Sequence, residues 1–273
     1  MTDVSSLYET LRDCVRSASP VALATVIEGV GIGGKLLVQP GRAPVGSLGD
    51  PELDRVVARD TLAELEAGRT LTRHYGPQGQ TLSEDVEDAP IDRLAVFVES
   101  FAPPPTMVIF GAVDFTAALA KVAKVLGYRV VVCDAREVFA TKRRFPMADE
   151  VVVDWPNRLL DRIGPDLGRR DAVCVLTHDP KFDVPAIAGA LTSGVGYIGV
   201  MGSRKTHAKR MGRLAEVGVN SPADLARVMA PIGLDIGART PEETAVSICA
   251  EIIACRTGRL APSLRDGVGP IHS

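Results

Sequence analysis

The chain has 273 residues, 46% hydrophobic and 24% charged, which is the composition of a soluble globular protein with material for one large or two ordinary domains. A net charge of −3 and a pI near 5.9 argue against nucleic-acid binding, because phosphate backbones select clustered Lys and Arg. No apolar run approaches the roughly eighteen residues of a membrane span, and residues 1–14 lack the apolar segment of a secretory signal, so we expect a cytoplasmic protein without membrane partners.

The five cysteines are widely spaced and form no C-x-x-C pair, so the sequence predicts no metal site. Cys14 and Cys249 lie on apolar helical faces, where a thiol packs as a small hydrophobe. Cys133 sits at a predicted strand tip beside Asp134, where ligands gather, but free cysteine is among the most buried residue types. We therefore expect Cys133 to be a packing residue.

Residues 1–90 are predicted to form a smaller α+β domain. Asp50 and Pro51 mark the start of a helix, as N-cap and first helical residue, and Gly68 marks its end. Residues 44–50 are predicted to be a tight loop before that helix, and residues 76–89 a surface loop. The predicted helices are 3–17 and 51–67, and the predicted strands are 21–27, 35–38 and 71–75.

Residues 91–105 are predicted to connect the domains, with a strand at 94–98 followed by three consecutive prolines that favour an extended spacer. The second domain, 106–273, alternates apolar strand-like runs with helical periodicity. Such β-α units predict a Rossmann-like, doubly wound parallel sheet with ligands at the carboxyl ends of its strands. The predicted strands are 107–110, 129–133, 150–153, 172–176 and 197–201, and the predicted helices are 115–126, 156–163, 184–191, 205–217 and 241–256.

The first β-α-β unit of this domain is a nucleotide-binding pattern that lacks two of its three glycines. The pattern requires G-x-G-x-x-G, whereas the chain has Gly111, Val113 and Thr116 at those positions. The middle glycine lets a pyrophosphate approach the backbone, and Val113 places a branched side chain there. Asp134 follows Gly111 by 23 positions, near the spacing of a ribose-binding carboxylate. The fold is therefore indicated more clearly than the dinucleotide.

Two of the later strand ends carry polar groups. His178 and Asp179 could act in acid-base catalysis, but Asp179 followed by Pro180 is also the usual start of a helix, which we favour. The turn 199–206 brings glycine, an N-capping Ser203 and several cations to the start of a helix, which is the chemistry of an anion site. The alternative is a capped helix with a solvated basic face, formed by Arg204, Lys205, Lys209, Arg210 and Arg213.

The third polar strand end is the loop 231–240. It combines two glycines with Asp235 and Arg239 in an otherwise apolar segment, and composition leaves a ligand-binding loop and a structural return equally open. Thr240 and Glu243 predict a capping box at the start of the last helix.

Several stretches of the second half, in this order, resemble the XdhC/CoxI family of accessory factors of xanthine dehydrogenase and related molybdenum hydroxylases. The stretch GSRKTHAKR followed by PIGLDIGARTPEE is the most specific. The matching stretches are PTMVIFGAVDFTAALAKVAKVLGYRVVVCDARE, FPMADEVV, DAVCVLTHDPKFDVPAI, YIGVMGSRKTHAKR and PIGLDIGARTPEETAVSICAEIIA.

The resemblance implies a non-catalytic, chaperone-like protein that binds molybdenum cofactor, as molybdopterin or its dinucleotide, and delivers it to an apo molybdenum hydroxylase. A cysteine desulfurase and a second copy of the chain are further implied partners. Carried over by position, the ligand-facing residues are Gly111, Asp134, Thr177, His178, Gly202, Ser203, Arg204, Gly233, Asp235 and Arg239.

The chain also departs from the family pattern. Relatives read G-A-G-H where residues 111–114 read G-A-V-D, and the family's first-domain loop S-G-G-C-V-E has no counterpart cysteine in 45–53. A sulfur relay through that thiol is therefore not expected. Two other functions stay open. One is an NAD(P)-dependent oxidoreductase, with Asp134 on the ribose and Arg136 on a 2′-phosphate, and the other is a regulatory module that binds a nucleotide without chemistry.

Overall fold

The computed structural model describes residues 4–76, 79–82 and 93–266. The chain divides into two compact units, Met1–Pro103 and Pro104–Ser273. The loop predicted at 76–89 falls largely outside the described ranges. Within the described ranges, none of the helices combines the length and the apolar character that a membrane crossing requires.

The first unit is an antiparallel sheet of six strands in the order β3-β2-β1-β6-β4-β5. Neighbouring side chains along β1 face opposite sides: Leu23 packs with Leu7 of the first helix, and Ala24 packs with Val57 of the second. The elements are α1 (Val4–Arg16), β1 (Val21–Glu28), β2 (Lys35–Val38), β3 (Val45–Ser47), α2 (Pro51–Ala67), β4 (Leu71–Tyr75), β5 (Thr81–Leu82) and β6 (Leu94–Phe101).

The predicted ends of α2 are confirmed. The Asp50 carboxylate accepts a hydrogen bond from the Leu53 N–H at 2.8 Å, and Gly68 ends the helix with a φ of 65°. On the same helix the fully buried carboxylate of Glu64 accepts hydrogen bonds from Arg69 Nε at 2.6 Å and Arg73 Nε at 3.0 Å. These ion pairs tie α2 to β4.

Three short segments of the first unit differ from the sequence-based prediction. Residues 81–82, predicted as part of a surface loop, form β5, which pairs with β4. Residues 45–47, predicted as part of a tight loop, form the edge strand β3, which pairs with β2. Gly46 lies there with a φ of 101°. Glycine is depleted in strands, so the sequence did not indicate a strand at this position. The strand predicted within the connecting segment extends to Phe101 as β6 and lies between β1 and β4 in the sheet.

The second unit is a parallel sheet in the order β12-β11-β10-β7-β8-β9. The chain runs outward from β7 through β8 to β9, then returns to β10 and continues the other way, so the order reverses between β7 and β10. The predicted Rossmann-like, doubly wound fold is confirmed. Its strands are β7 (Thr106–Phe110), β8 (Arg129–Cys133), β9 (Glu150–Val152), β10 (Ala172–Val175), β11 (Tyr197–Val200) and β12 (Val228–Met229).

Helices cover both faces of this sheet. Leu119 and Ile248 pack on the face of Ile109, whereas Ile187 and Leu214 pack on the opposite face. The two-residue strand β12 and the one-turn helix α7 are too short for a periodic signal, and the sequence did not predict them. The helices are α3 (Asp114–Val125), α4 (Pro156–Ile163), α5 (Pro180–Thr192), α6 (Arg204–Glu216), α7 (Pro222–Leu225) and α8 (Pro241–Thr257).

Candidate functional site

All ten predicted ligand-facing residues follow the carboxyl ends of strands in the second unit. Because the strands are parallel, these ends lie along one edge of the sheet, where doubly wound folds bind ligands. Gly111 follows β7, and Asp134 follows β8. The others come after β10 (Thr177, His178), after β11 (Gly202, Ser203, Arg204) and after β12 (Gly233, Asp235, Arg239).

Gly111 lies at the point where the strand order reverses, with a φ of 111° that favours glycine. A Cβ on Gly111 would be 2.8 Å from Cγ2 of Thr177, and the Thr116 hydroxyl donates a hydrogen bond to the Gly111 carbonyl. The glycine is therefore required by the neighbouring turn of the protein itself. Close approach of a pyrophosphate is not needed to explain it.

The carboxylate of Asp134 is buried and fully hydrogen-bonded. Oδ2 accepts from the Ala112 N–H at 2.8 Å and Arg136 Nη2 at 2.7 Å, and Oδ1 accepts from the N–H and Nε of Arg136, both at 2.9 Å. Burial alone would raise the pKa of Asp134, but these hydrogen bonds outweigh it, and the pKa lies below its ordinary value. Four bonds occupy the roughly four acceptor positions of a carboxylate, so a ribose hydroxyl would have to displace one.

A cavity of about 430 Å³ opens between the ends of β7, β8 and β10. Phe182, one of its walls, contacts the ring of Trp155, with 5.1 Å between the centroids. His178 is exposed, and its imidazole makes no hydrogen bond with any described residue. The cavity is lined by Val113, Arg136, Leu176, Thr177, His178, Asp179, Pro180 and Phe182.

Asp179 caps the helix that follows, as we favoured. Its carboxylate accepts the Lys181 N–H at 3.1 Å, and Pro180 is the first helical residue. The capping roles predicted for Ser203 and for Thr240 with Glu243 are confirmed as well. Since Asp179 is engaged in capping and in an ion pair with Lys181 at 3.3 Å, it does not orient the His178 ring for acid-base catalysis.

A buried ion pair supports two of the turns from beneath. Arg210 Nη2 donates to Asp183 Oδ2 at 2.7 Å and to the Met201 carbonyl at 3.0 Å, and the Thr177 hydroxyl donates to the other oxygen of Asp183. Both charged side chains are 3% exposed. Burial raises the pKa of Asp183, although its hydrogen bonds with Thr177 and Arg210 oppose that shift.

This ion pair shows that Arg210 does not belong to the basic face of α6, which the sequence offered as a solvated alternative to an anion site. The side chain instead points inward, because Asp183 on the packed face of α5 offers it a buried counter-charge. Sequence reasoning missed both residues. The available signal was a carboxylate between the apolar residues Phe182 and Val184, a position where a solvated acid is unusual.

The turn after β11 is open by comparison. Gly202 has a φ of 139°, and the Ser203 hydroxyl accepts the Thr206 N–H at 3.1 Å. The side chains of Ser203, Arg204 and Lys205 are exposed. Within the described residues, no acceptor engages the N–H groups of Arg204 or Lys205, as expected for the first turn of a helix.

The loop after β12 is held on α8 by its backbone. The Gly233 N–H donates to Glu251 Oε2 at 2.8 Å, and the Ser247 hydroxyl donates to the Leu234 carbonyl at 2.6 Å. The Ile232 N–H donates to the Val200 carbonyl at 3.1 Å, which places this loop beside the end of β11. The side chains of Asp235 and Arg239 are exposed to solvent.

Cys133 is buried, as expected. Its thiol donates to the Asp154 carbonyl at 3.3 Å, and burial raises the pKa of Cys133 to about 12, so the reactive thiolate is disfavoured. Across the described part of the chain, no three His, Cys, Asp or Glu residues are grouped so that they could hold a metal ion.

Comparison with known proteins gives two family matches and several relatives. The model of the XdhC Rossmann domain matches residues 107–252, and that of the XdhC and CoxI family matches residues 14–76. A Bacillus subtilis (strain 168) protein named as a probable subunit of xanthine dehydrogenase is 35% identical over 161 residues, which are 59% of this chain and 46% of that protein. The Escherichia coli (strain K12) molybdenum cofactor insertion chaperone PaoD is 26% identical over 196 residues, 71% of this chain and 54% of that protein.

The chain thus spans about half the length of the curated relatives that it matches. Among solved structures, a Bacillus halodurans protein described as a xanthine dehydrogenase shares the fold, with 22% identity, a TM-score of 0.53 and coverage of 93% of this chain and 97% of that one. The Rossmann-domain match alone covers more than half of the chain, and the resemblance seen in the sequence is confirmed. This protein is a member of the XdhC and CoxI family.

Proposed function

We propose that this protein is an accessory factor that binds molybdenum cofactor and assists the maturation of a molybdenum hydroxylase of the xanthine or carbon monoxide dehydrogenase type. Family membership supports the proposal, as do one relative named for xanthine dehydrogenase and another named as a molybdenum cofactor insertion chaperone. The cofactor is the cargo of such a protein, and the apo-hydroxylase receives it.

The observation that carries the proposal is the turn formed by Gly202, Ser203 and Arg204. The N–H groups of Arg204 and Lys205 are unengaged by the described residues, and the positive end of the α6 dipole favours an anion there. Two exposed cations in the first helical turn are unfavourable next to that dipole unless an anion joins them. The phosphate of a pterin or of its dinucleotide is the group that these donors fit.

The site favours cofactor handling over catalysis. His178 is exposed and Asp179 caps the following helix, so these two residues do not form the acid-base pair that an oxidoreductase would need from them. Val113 lines the cavity where a dinucleotide pyrophosphate would approach, and the acceptor positions of the Asp134 carboxylate are already used by hydrogen bonds within the protein. We therefore rank an NAD(P)-dependent oxidoreductase and a regulatory nucleotide-binding module below the accessory factor.

The proposal extends to partners and location. The apo-hydroxylase is the principal partner, and a cysteine desulfurase and a second copy of the chain are further partners in the same process. We place this process in the cytoplasm. The loop of Gly233, Asp235 and Arg239, beside the end of β11, completes the surface that would face the cofactor.

Binding of the purified protein to molybdenum cofactor, NAD and NADP tests the proposal. We expect submicromolar binding of the cofactor, which Ser203→Asp and Arg204→Glu abolish by placing negative charge on the anion site. Lys209→Glu is the matched control, because Lys209 is exposed on the same helix but beyond its first turn. Tight binding of NAD or NADP without affinity for the pterin would overturn the proposal in favour of its two rivals.

A further inference from the structure

Helix α8 is apolar on two faces. Its inner face packs in the core of the parallel sheet through Ala245, Ile248 and Ile252, which are at most 3% exposed. Its outer face carries Val246, 51% exposed, and Ile253, 38% exposed. A helix at the surface of a globular domain ordinarily has a polar outer face, and a helix that is apolar all round is normally covered on both sides. The described residues leave the outer face of α8 without such a cover.

A comparison with α6 shows that this face is unusual for the same sheet. The outer face of α6 exposes only charged side chains and small residues, among them Lys209 and Arg213, as expected for a solvated helix. On α8 the corresponding positions are held by aliphatic side chains. Val125 of α3, the helix that packs beside α8, is also exposed and adds to the apolar surface.

The residues of the outer face are arranged symmetrically along α8. They are spaced three or four positions apart, so they form one stripe on the helix. The half-buried Ala250 lies at the middle of the stripe. An identical helix laid antiparallel, with Ala250 opposite Ala250, brings each Val246 beside the other Ile253. The stripe consists of Glu242, Val246, Ala250, Ile253 and Arg256.

The two ends of the stripe carry opposite charges. Glu242 and Arg256 are exposed, and neither forms an ion pair with a described residue. The antiparallel arrangement brings each Glu242 beside the Arg256 of the other helix, and it also opposes the two helix dipoles favourably. A parallel arrangement would place like charges together. The charges of the stripe therefore complement a second copy of the same helix in the antiparallel orientation.

We propose that the outer face of α8 binds a second copy of this chain, in a symmetric dimer with Ala250 at the two-fold axis. In such an interface a contact from residue i to residue j is matched by one from j to i, and the stripe satisfies this condition with a single set of side chains. The small Ala250 allows the two helix axes to approach to about 8 Å. The inference rests on the proposed function only in that it names the surface for the second copy included there as a partner.

Sedimentation of the full chain tests the proposal. We expect a monomer–dimer equilibrium at concentrations of about 1–100 µM, because an interface centred on one helix pair is small. Ile253→Glu should raise the dissociation constant of the dimer at least about tenfold, since a carboxylate would be buried without a partner. Val217→Glu, at an exposed position that follows α6, is the matched control and should leave the constant unchanged. The thermal unfolding midpoint of monomeric Ile253→Glu should stay close to that of the unmodified monomer.

A charge exchange tests the orientation of the two helices. Glu242→Arg and Arg256→Glu should each weaken the dimer at least about threefold, because each places like charges opposite one another. The double variant Glu242→Arg with Arg256→Glu should restore the dissociation constant to within about twofold, since the pair is then re-formed with reversed signs. Failure of the double variant to recover would overturn the antiparallel arrangement.

A disulfide cross-link tests the position of the axis. In a Cys255→Ser background, which removes the exposed cysteine of α8, Ala250→Cys should give a covalent dimer on mild oxidation. The two Cα atoms would lie about 4–6 Å apart, within reach of a disulfide. Arg213→Cys, exposed on α6, should not cross-link in the same background.

The inference is overturned if the chain stays monomeric throughout the concentration range. It is equally overturned if a dimer forms but neither responds to Ile253→Glu nor cross-links through position 250. A monomer that still binds molybdenum cofactor would contradict this inference alone, and a dimer without affinity for the cofactor would contradict the proposed function alone.

Discussion

After both β7 and β11 the chain passes through a glycine with positive φ and continues into a helix. The two turns differ in what surrounds the glycine. After β7 the turn is filled: Thr177 lies against Gly111, and Asp134 binds the Ala112 N–H. After β11 the turn ends in an exposed Ser203. One turn is closed by the protein's own side chains, and the other is left available.

The difference shows how the same strand-turn-helix plan can be filled by side chains at one strand end and left exposed at another. Dinucleotide binding needs the first turn open and the carboxylate after the second strand unoccupied. Here the carboxylate of Asp134 is used to hold Arg136, and Val113 lines the cavity. A ribose hydroxyl would therefore have to compete with Arg136 for this carboxylate.

The largest expected effect comes from removing the support that both turns share. Arg210→Met leaves the Asp183 carboxylate buried without a cation, and we expect the free energy of unfolding to fall by about 3–5 kcal/mol. Urea denaturation measures the change, with the exposed Arg213→Met as control. Asp183→Leu combined with Arg210→Met should recover most of the loss, because the unpaired charge is then gone. Equal stability of Arg210→Met and Arg213→Met would contradict the account.

The second prediction compares the glycines of the two turns directly. Gly111→Ala should lower the free energy of unfolding by about 3 kcal/mol, because backbone strain is added to a contact with Thr177. Gly202→Ala should cost about 1 kcal/mol, because the nearest atoms to its new Cβ lie at an ordinary 3.4 Å. In a Thr177→Ser background, which lacks Cγ2, Gly111→Ala should cost less. Equal costs at the two glycines would remove the distinction between the turns.

The third prediction concerns pH. The pKa of Asp134 is lower in the folded protein than in the unfolded chain, so the unfolded chain binds more protons as the solution is acidified. The contribution of Asp134 to the free energy of unfolding is therefore fully present above its pKa in the unfolded chain and is lost as the pH falls through its pKa in the folded protein. Asp134→Asn should destabilise the protein by about 1.5 kcal/mol near neutral pH and by less in acid. Unfolding curves at several pH values test this, and a constant difference across them would refute it.

The smallest expected effect concerns the open turn. Ser203→Ala removes the acceptor of the Thr206 N–H and should lower the free energy of unfolding by about 1 kcal/mol. Lys209→Ala, exposed on the same helix, should have little effect and serves as the control. Thermal or urea denaturation distinguishes the two variants. A fully stable Ser203→Ala protein would mean that the cap contributes nothing to α6.

The sequence predicted the elements of the second unit well because each depends on residues close together in the chain. Apolar periodicity marked β7, α3 and β8, and a local Asp-Pro pair marked the start of α5. The ten residues that the resemblance marks as ligand-facing all follow strands of this sheet, and their role in binding stays a prediction.

The sequence could not show which side chains contact one another at the strand ends, because those contacts depend on the pairing of distant segments. Arg210 and Asp183 are 27 positions apart, and Asp134 and Ala112 are 22 positions apart. Their contacts follow from the order of strands and the packing of helices, which no local pattern encodes. The requirement for glycine at 111 likewise depends on Thr177, in a turn that comes much later in the chain.

The contact between Trp155 and Phe182 has a practical consequence. Trp155 is the only tryptophan of the chain, it is 39% exposed, and it touches a wall of the cavity that Arg136 lines. The tryptophan fluorescence therefore arises from a single indole next to this cavity. Occupancy of that cavity can be followed by the emission of the unlabelled protein, without a dye and without a functional assay.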